Sequence, residues 1–103
     1  MGNINYFCSI VKVLEDPIQI QINNKISITT FRVELFQVRK NYTNQLIFLY
    51  FWGKLSEKIK NYCNINEYIL IEGYLQVKEK KSKTLPFTNL KQIIVTVLRV
   101  YPI

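Results

Sequence analysis

The sequence predicts an all-β chain carrying one short helix, and three observations lead there. Apolar residues recur mostly with period two, as where Ile18, Ile20 and Ile22 alternate with Gln19 and Gln21. One stretch, 54–63, has helical spacing instead, with Leu55, Ile59 and Tyr62 or Cys63 on one side and Ser56, Glu57, Lys58, Lys60 and Asn61 around the axis. Turn formers separate the runs: Glu15-Asp16-Pro17, Asn23-Asn24 and Gly53.

Taken in order, residues 4–14 are β-branched and aromatic and stop at Glu15-Asp16-Pro17, where proline fixes φ, so they read as a strand and a turn. Residues 18–22 and 26–30 read as a hairpin around Asn23-Asn24, since asparagine tolerates positive φ. Residues 31–38 extend its second arm, and 39–45 (RKNYTNQ) form a polar loop. Residues 46–52 make a strand apolar on both faces, so periodicity leaves open which face looks inward. A helix of about ten residues follows Gly53, then a strand over 68–77, a basic turn over 78–84 and a last strand over 89–100. With 18–22 and 26–38 counted as one bent hairpin system, the helix falls between the third and fourth of five strands. That is the layout of a five-stranded Greek-key barrel, the oligonucleotide/oligosaccharide-binding (OB) fold, whose closure removes exposed sheet edges.

The 103 residues suffice for a single domain, 1–103. A hydrophobic share of 49% with 20% charged residues excludes a disordered tail. The longest apolar run, 46–52, is far short of a membrane span, so no membrane partner is expected. Histidine is absent, which removes the commonest general base and metal ligand. Cys8 and Cys63 lack metal or redox spacing and read as two buried thiols, and the start shows no signal-peptide pattern. The acids are scattered, with no nucleophile–base pairing or phosphate loop, so no enzyme, cofactor or metal site is expected. Ile, Asn, Lys, Tyr and Phe are abundant while Ala is missing and Gly, Pro and Arg number three each. That skew points to an AT-rich genome, and part of the Lys and Tyr excess follows from it. The net charge of +7 nevertheless favours an anionic partner.

Trp52-Gly53-Lys54-Leu55-Ser56-Glu57 resembles the aromatic-Gly-Lys-Leu-Ala-Glu run of bacterial-type single-stranded DNA-binding proteins, and Ile71-Glu72-Gly73-Tyr74-Leu75 resembles their Ile-Glu-Gly-x-Leu. The two glycines lie 20 positions apart, close to the family spacing, and Asn5 and Asp16-Pro17 also fit. The departures are Val11 for a glycine, Ile65-Asn66 for Lys-Gly, Ile47 for a histidine that supports the oligomer, and Leu46 and Lys80 for two aromatics. Asparagine is the next-best residue for a left-handed backbone, so the Asn66 turn can survive. The chain ends at Tyr101-Pro102-Ile103 without an acidic run. The resemblance is therefore to a tail-less, plastid-like member, located in a plastid (chloroplast) or another AT-rich organelle, otherwise in the cytoplasm.

Single strands are held by bases stacked on rings and by cations along the phosphates. The resemblance puts Phe48, Tyr50 and Trp52 on the ligand side of their strand; the alternative is that they pack a barrel interior or a subunit contact. Tyr74 shares a strand face with Gln76, Lys78 and Lys80, and Lys78, Lys80, Lys81 and Lys83 are expected at a basic hairpin tip that closes over phosphates or only solubilises the turn. Arg39, Lys40 and Tyr42 lie where the family's long loop contacts DNA. Lys12 stands near an often basic position, with plain solvent exposure as the alternative. Lys54, Lys58 and Lys60 read as the helix's solvated face. The leading expectation is sequence-independent binding of single-stranded DNA in replication, repair or recombination, by a homo-oligomer (dimer or tetramer). The alternatives are an interaction module of a replication or primosome complex, or single-stranded RNA binding, since no 2′-hydroxyl reader is evident.

Overall fold

The computed structural model describes residues 5–35, 46–81 and 89–103. Among them the elements run β1 (Asn5–Val13), β2 (Ile18–Gln21), β3 (Ser27–Leu35), β4 (Leu46–Trp52), α1 (Lys54–Ile59), β5 (Tyr68–Lys81) and β6 (Asn89–Pro102). The sheet order is β1-β5-β6-β4-β3-β2, and a second pairing of β1 with β3, from Val11↔Leu35 to Val13↔Val33, closes five of these strands into a barrel. β2 hangs on β3 as the second arm of a hairpin. The β4–β6 pairing is parallel and the others antiparallel. With β2 and β3 taken as one hairpin, α1 lies between the third and fourth strands, as the sequence predicts.

The barrel interior follows the pleat. Val11 and Val13 of β1, Phe31 and Val33 of β3, Ile47, Leu49 and Phe51 of β4, and Val95 of β6 are all at or below 1% exposure. Phe31 and Phe51 stack with centroids 5.3 Å apart and planes 12° from parallel. Each such large side chain removed from water stabilises the fold by about 1.5–3 kcal/mol. The helix end closes the barrel through Ile59 and the following Cys63, both in the core cluster. Ser56 fixes the helix to β3, because the buried Thr29 hydroxyl donates to the Ser56 carbonyl (2.8 Å) and meets the Ser56 Oγ at 2.6 Å.

Two glycines are dictated by the backbone. Gly53 opens α1 with φ 64° and ψ −132°, a conformation that a side chain disfavours. Gly73 sits at a bulge in the β5–β6 ladder, where an added Cβ would lie 2.1 Å from the Thr96 carbonyl oxygen. Asn66 takes φ 73° and donates its N–H to the Val13 carbonyl (2.7 Å), so asparagine does carry the left-handed turn before β5.

Four details differ from the sequence expectation. The helix spans six residues, because 60–62 are turns with Asn61 and Tyr62 donating to the carbonyls three residues back; the apolar spacing continued past it because Cys63 is buried by tertiary packing. Neither Asn23 nor Asn24 adopts positive φ; the Asn23 Oδ1 instead accepts the N–H groups of Lys25 (2.8 Å) and Ile26 (2.9 Å) and shapes the turn with its side chain. Lys78, Lys80 and Lys81 do not form a hairpin tip. They belong to β5 and pair with Gln92, Leu90 and Asn89, since ladder hydrogen bonds use the backbone and do not depend on side-chain charge. Cys8 is exposed and not buried, because it lies on the outward side of β1 with Tyr6 and Ile10.

Candidate nucleic-acid interface

The register decides which face of β4 is open. Ile47, Leu49 and Phe51 point inward, leaving Phe48 and Tyr50 half-buried and Trp52 46% exposed on the outside. Directly opposed residues share a face, so this outer surface can be followed rung by rung. One rung runs Tyr6, Tyr74, Thr96, Tyr50, Thr30 and Ile18 across β1, β5, β6, β4, β3 and β2. The next on one side runs Gln76, Ile94, Phe48 and Arg32, and on the other Trp52, Ile28 and Ile20. Tyr50 and Tyr74 are two strands apart, roughly 10 Å, and Tyr50 and Trp52 about 7 Å along one strand. Tyr50 thus lies between the short side chains of Thr96 and Thr30, Phe48 between Ile94 and Arg32, and Trp52 beside Ile28.

The remaining predicted residues are distributed around this platform. Lys12, half-buried, lies on β1 opposite Glu34 of β3 and Tyr68 of β5, two strands from β4. Lys78 is exposed on β5, opposite Gln92 and on the strand face of Tyr74. Lys80 and Lys81 continue the same strand. Arg39, Lys40, Tyr42 and Lys83 lie outside the described residues. The structure therefore brings Phe48, Tyr50, Trp52 and Tyr74 onto one continuous face, with Lys78 at its β5 end and Lys12 farther round.

Sequence reasoning missed three features of this surface. Ile18 and Ile20 stand open beside Thr30 and Ile28, so the apolar face extends onto β2. Arg32 lies next to Phe48 and is bonded to Glu15. Glu72 accepts hydrogen bonds from the hydroxyls of Tyr6 and Tyr101 (3.1 Å for the latter). The bond to Glu72 pushes the Tyr6 phenol up to about 12, and the same bond, with Tyr101 and Arg99 nearby, holds the Glu72 carboxyl below its ordinary value. These partners are up to 66 residues apart in the chain, and no local pattern announces them. Burial, reinforced by Glu67, pushes the Cys63 thiol up to about 11, so it stays protonated and unreactive. Among the described residues no group of three or more His, Cys, Asp or Glu could hold a metal ion, and no helix is long and apolar enough to cross a membrane.

No protein-family model matches the sequence. The chain is similar to a protein of Trieres chinensis named "Putative single-stranded DNA-binding protein ycf41", with 30% identity over 100 residues covering 96% of this chain and 88% of that one. Among solved structures it is similar to the small single-stranded DNA-binding protein of Streptomyces coelicolor, with TM-score 0.78 and 12% identity over 97% of this chain and 94% of that one. The second single-stranded DNA-binding protein of Mycobacterium smegmatis matches with TM-score 0.68 and 15% identity, over 94% and 86% of the two chains. A domain of the same kind from Synechococcus sp. matches with TM-score 0.68 and 18% identity, over 98% of each. At such identities the structural likeness is one of fold, and that fold is the OB barrel the element order predicts.

Proposed function

This chain belongs to the single-stranded DNA-binding protein family of its ycf41 relative, and we propose that it binds single-stranded DNA without reading base sequence. The observation that carries the reading is the outward aromatic face of β4, with Trp52 exposed, Tyr50 half-buried and the exposed Tyr74 on the same rung as Tyr50. In this reading bases stack on Trp52, Tyr50, Phe48 and Tyr74, each stack contributing about 1–3 kcal/mol. Lys12, Lys78, Lys80, Lys81 and Lys83, with Arg39, Lys40 and Tyr42, supply phosphate contacts. The net charge of +7 supports this electrostatic share. Stacking on a ring face tolerates every base, and no Arg is needed to read base edges.

The protein works without catalysis, as a homo-oligomer, on DNA exposed during replication, repair or recombination. Its AT-rich composition supports residence in a plastid or a comparable organelle. A second reading, an interaction module for other replication proteins, rests on the family resemblance, which implies aromatics where this chain has Leu46 and Lys80 and so two fewer stacking surfaces.

The test is a titration of labelled oligo(dT) of about 35 nucleotides at low and moderate salt, with a duplex of equal length as competitor. Salt-sensitive binding that the duplex does not displace is the expected result. Absence of binding at low salt refutes the proposal, and recovery of a specific replication protein from source extract would then support the second reading. Equal affinity for oligo(U) would extend the ligand to RNA.

A further inference from the structure

We propose that Arg32 is a phosphate-binding residue of the strand interface and that Glu15 is the residue that positions it. The inference rests on the single-strand-binding reading and deepens it at one point of the surface.

Arg32 lies on β3 directly opposite Phe48 of β4, on the outer face, and its other neighbours along that face are Thr30, which pairs with Tyr50, and Glu34. A cation at this point is next to two of the rings on which bases would rest. It is also held in place. Its Nε donates to Glu15 Oε2 at 3.0 Å, its Nη2 lies 3.0 Å from the same oxygen, and its backbone N–H donates to Glu15 Oε1 at 2.8 Å. Among the described residues this is the one salt bridge. Both carboxylate oxygens of Glu15 are thus committed to a single residue.

The backbone under the pair is pinned as well. Val13 pairs with Val33, and the Leu14 N–H donates to the Arg32 carbonyl at 3.1 Å, so Glu15 leaves the end of β1 at a fixed point above β3. A guanidinium has five N–H donors in a rigid fork, and the Glu15 oxygen uses the Nε edge. The remaining donors, including both on Nη1, suit a phosphate oxygen pair, and the side chain is 46% exposed. Fixing one edge of the fork in advance lowers the ordering cost of binding with the other.

The competing account makes Glu15 a plain neutralising acid, in which case its charge opposes binding. The two accounts predict opposite signs for Glu15→Gln. The experiment measures binding of labelled oligo(dT) to the full chain over a salt series, for the natural protein, Glu15→Gln, Arg32→Lys and Arg32→Ala, with urea midpoints to show that each variant is folded. We expect Glu15→Gln to weaken binding several-fold although it removes a negative charge. Arg32→Ala is expected to weaken it roughly tenfold and to make the log–log salt slope shallower by about 0.7, the share of one phosphate contact on a single strand. Arg32→Lys keeps the slope and recovers only part of the affinity, since a lysine presents a point charge without the fork. Tighter binding by Glu15→Gln, or natural affinity in Arg32→Lys, overturns the proposal even if Arg32→Ala does not fold. Failure of the natural protein itself to bind would refute the function reading and this inference with it. Normal binding with unaffected variants refutes this inference alone.

Discussion

On the inner face of β4, Ile47, Leu49 and Phe51 are fully buried, and Phe51 stacks on Phe31 of the neighbouring strand β3. On the outer face of the same strand Phe48 and Tyr50 are half-buried and Trp52 is exposed. Both faces are apolar and both carry aromatic rings, so composition does not distinguish them. Their direction relative to the closed barrel does. Inside, Leu49 stands between Phe31 and Val95, and Ile47 between Val33 and Ile93. Outside, Tyr50 stands between Thr30 and Thr96, and Phe48 has Arg32 on one side. Rung partners alone do not decide burial, since the fully buried Phe51 stands opposite Thr29 and the exposed Trp52 opposite Ile28. A ring becomes core when it points into the closed barrel, and it stays open to a ligand when it points out of it.

The sharpest way to break this comparison is to remove one ring from each face. Phe51→Ala should lower the unfolding free energy by about 3–5 kcal/mol, through lost burial and the cavity left opposite Phe31, as read from urea denaturation. Gly73→Ala should follow at about 3 kcal/mol or more, because the new methyl meets the Thr96 backbone and not a flexible side chain; the same denaturation series tests it. Trp52→Ala should change unfolding by about 1 kcal/mol or less while raising the dissociation constant for oligo(dT) by roughly 5–150-fold, equivalent to about 1–3 kcal/mol. If Trp52→Ala unfolds the protein as readily as Phe51→Ala does, the distinction between the faces fails.

The smallest expected effect lies on the β1–β5 side of the barrel, at Tyr6 and Glu72. Tyr6 is raised because its hydrogen bond to Glu72 needs the proton. Its contribution to stability is therefore complete below its ordinary value of 10.0 and is lost as pH rises through about 12. Glu72 is lowered by the same bond, so its contribution is present above its ordinary value of 4.5 and lost as pH falls through the lowered one. Tyr6→Phe should move the Glu72 titration upward, towards that ordinary value, as followed by carboxyl carbon NMR. An unmoved Glu72 would show that Tyr101 and Arg99 account for the shift without Tyr6.

Much of the fold is legible in the sequence because its strands alternate and its turns carry specific chemistry. Pro17, Gly53 and Asn66 each stand where the backbone needs them. The limits of β5 were not legible, since the Lys-rich arm of 78–81 pairs through its backbone and its charges resemble those of a solvated turn. Nor was the open face of β4, because two apolar faces give period two no contrast. The Arg32–Glu15 and Tyr6–Glu72–Tyr101 contacts depend on register between distant strands, which a one-dimensional pattern does not contain. The helix is shorter than its apolar spacing for a related reason: Cys63 is buried by the barrel and not by continued helix.

Trp52 is the one tryptophan of the chain, so its emission reports on the outer face of β4 alone. Titrating the protein with oligo(dT) while following that emission is the most direct test of this account. Quenching that saturates with binding and weakens as salt is raised is the predicted result. Binding with Trp52 emission unchanged would contradict the account, since the strand would then be held away from the face that the register leaves open.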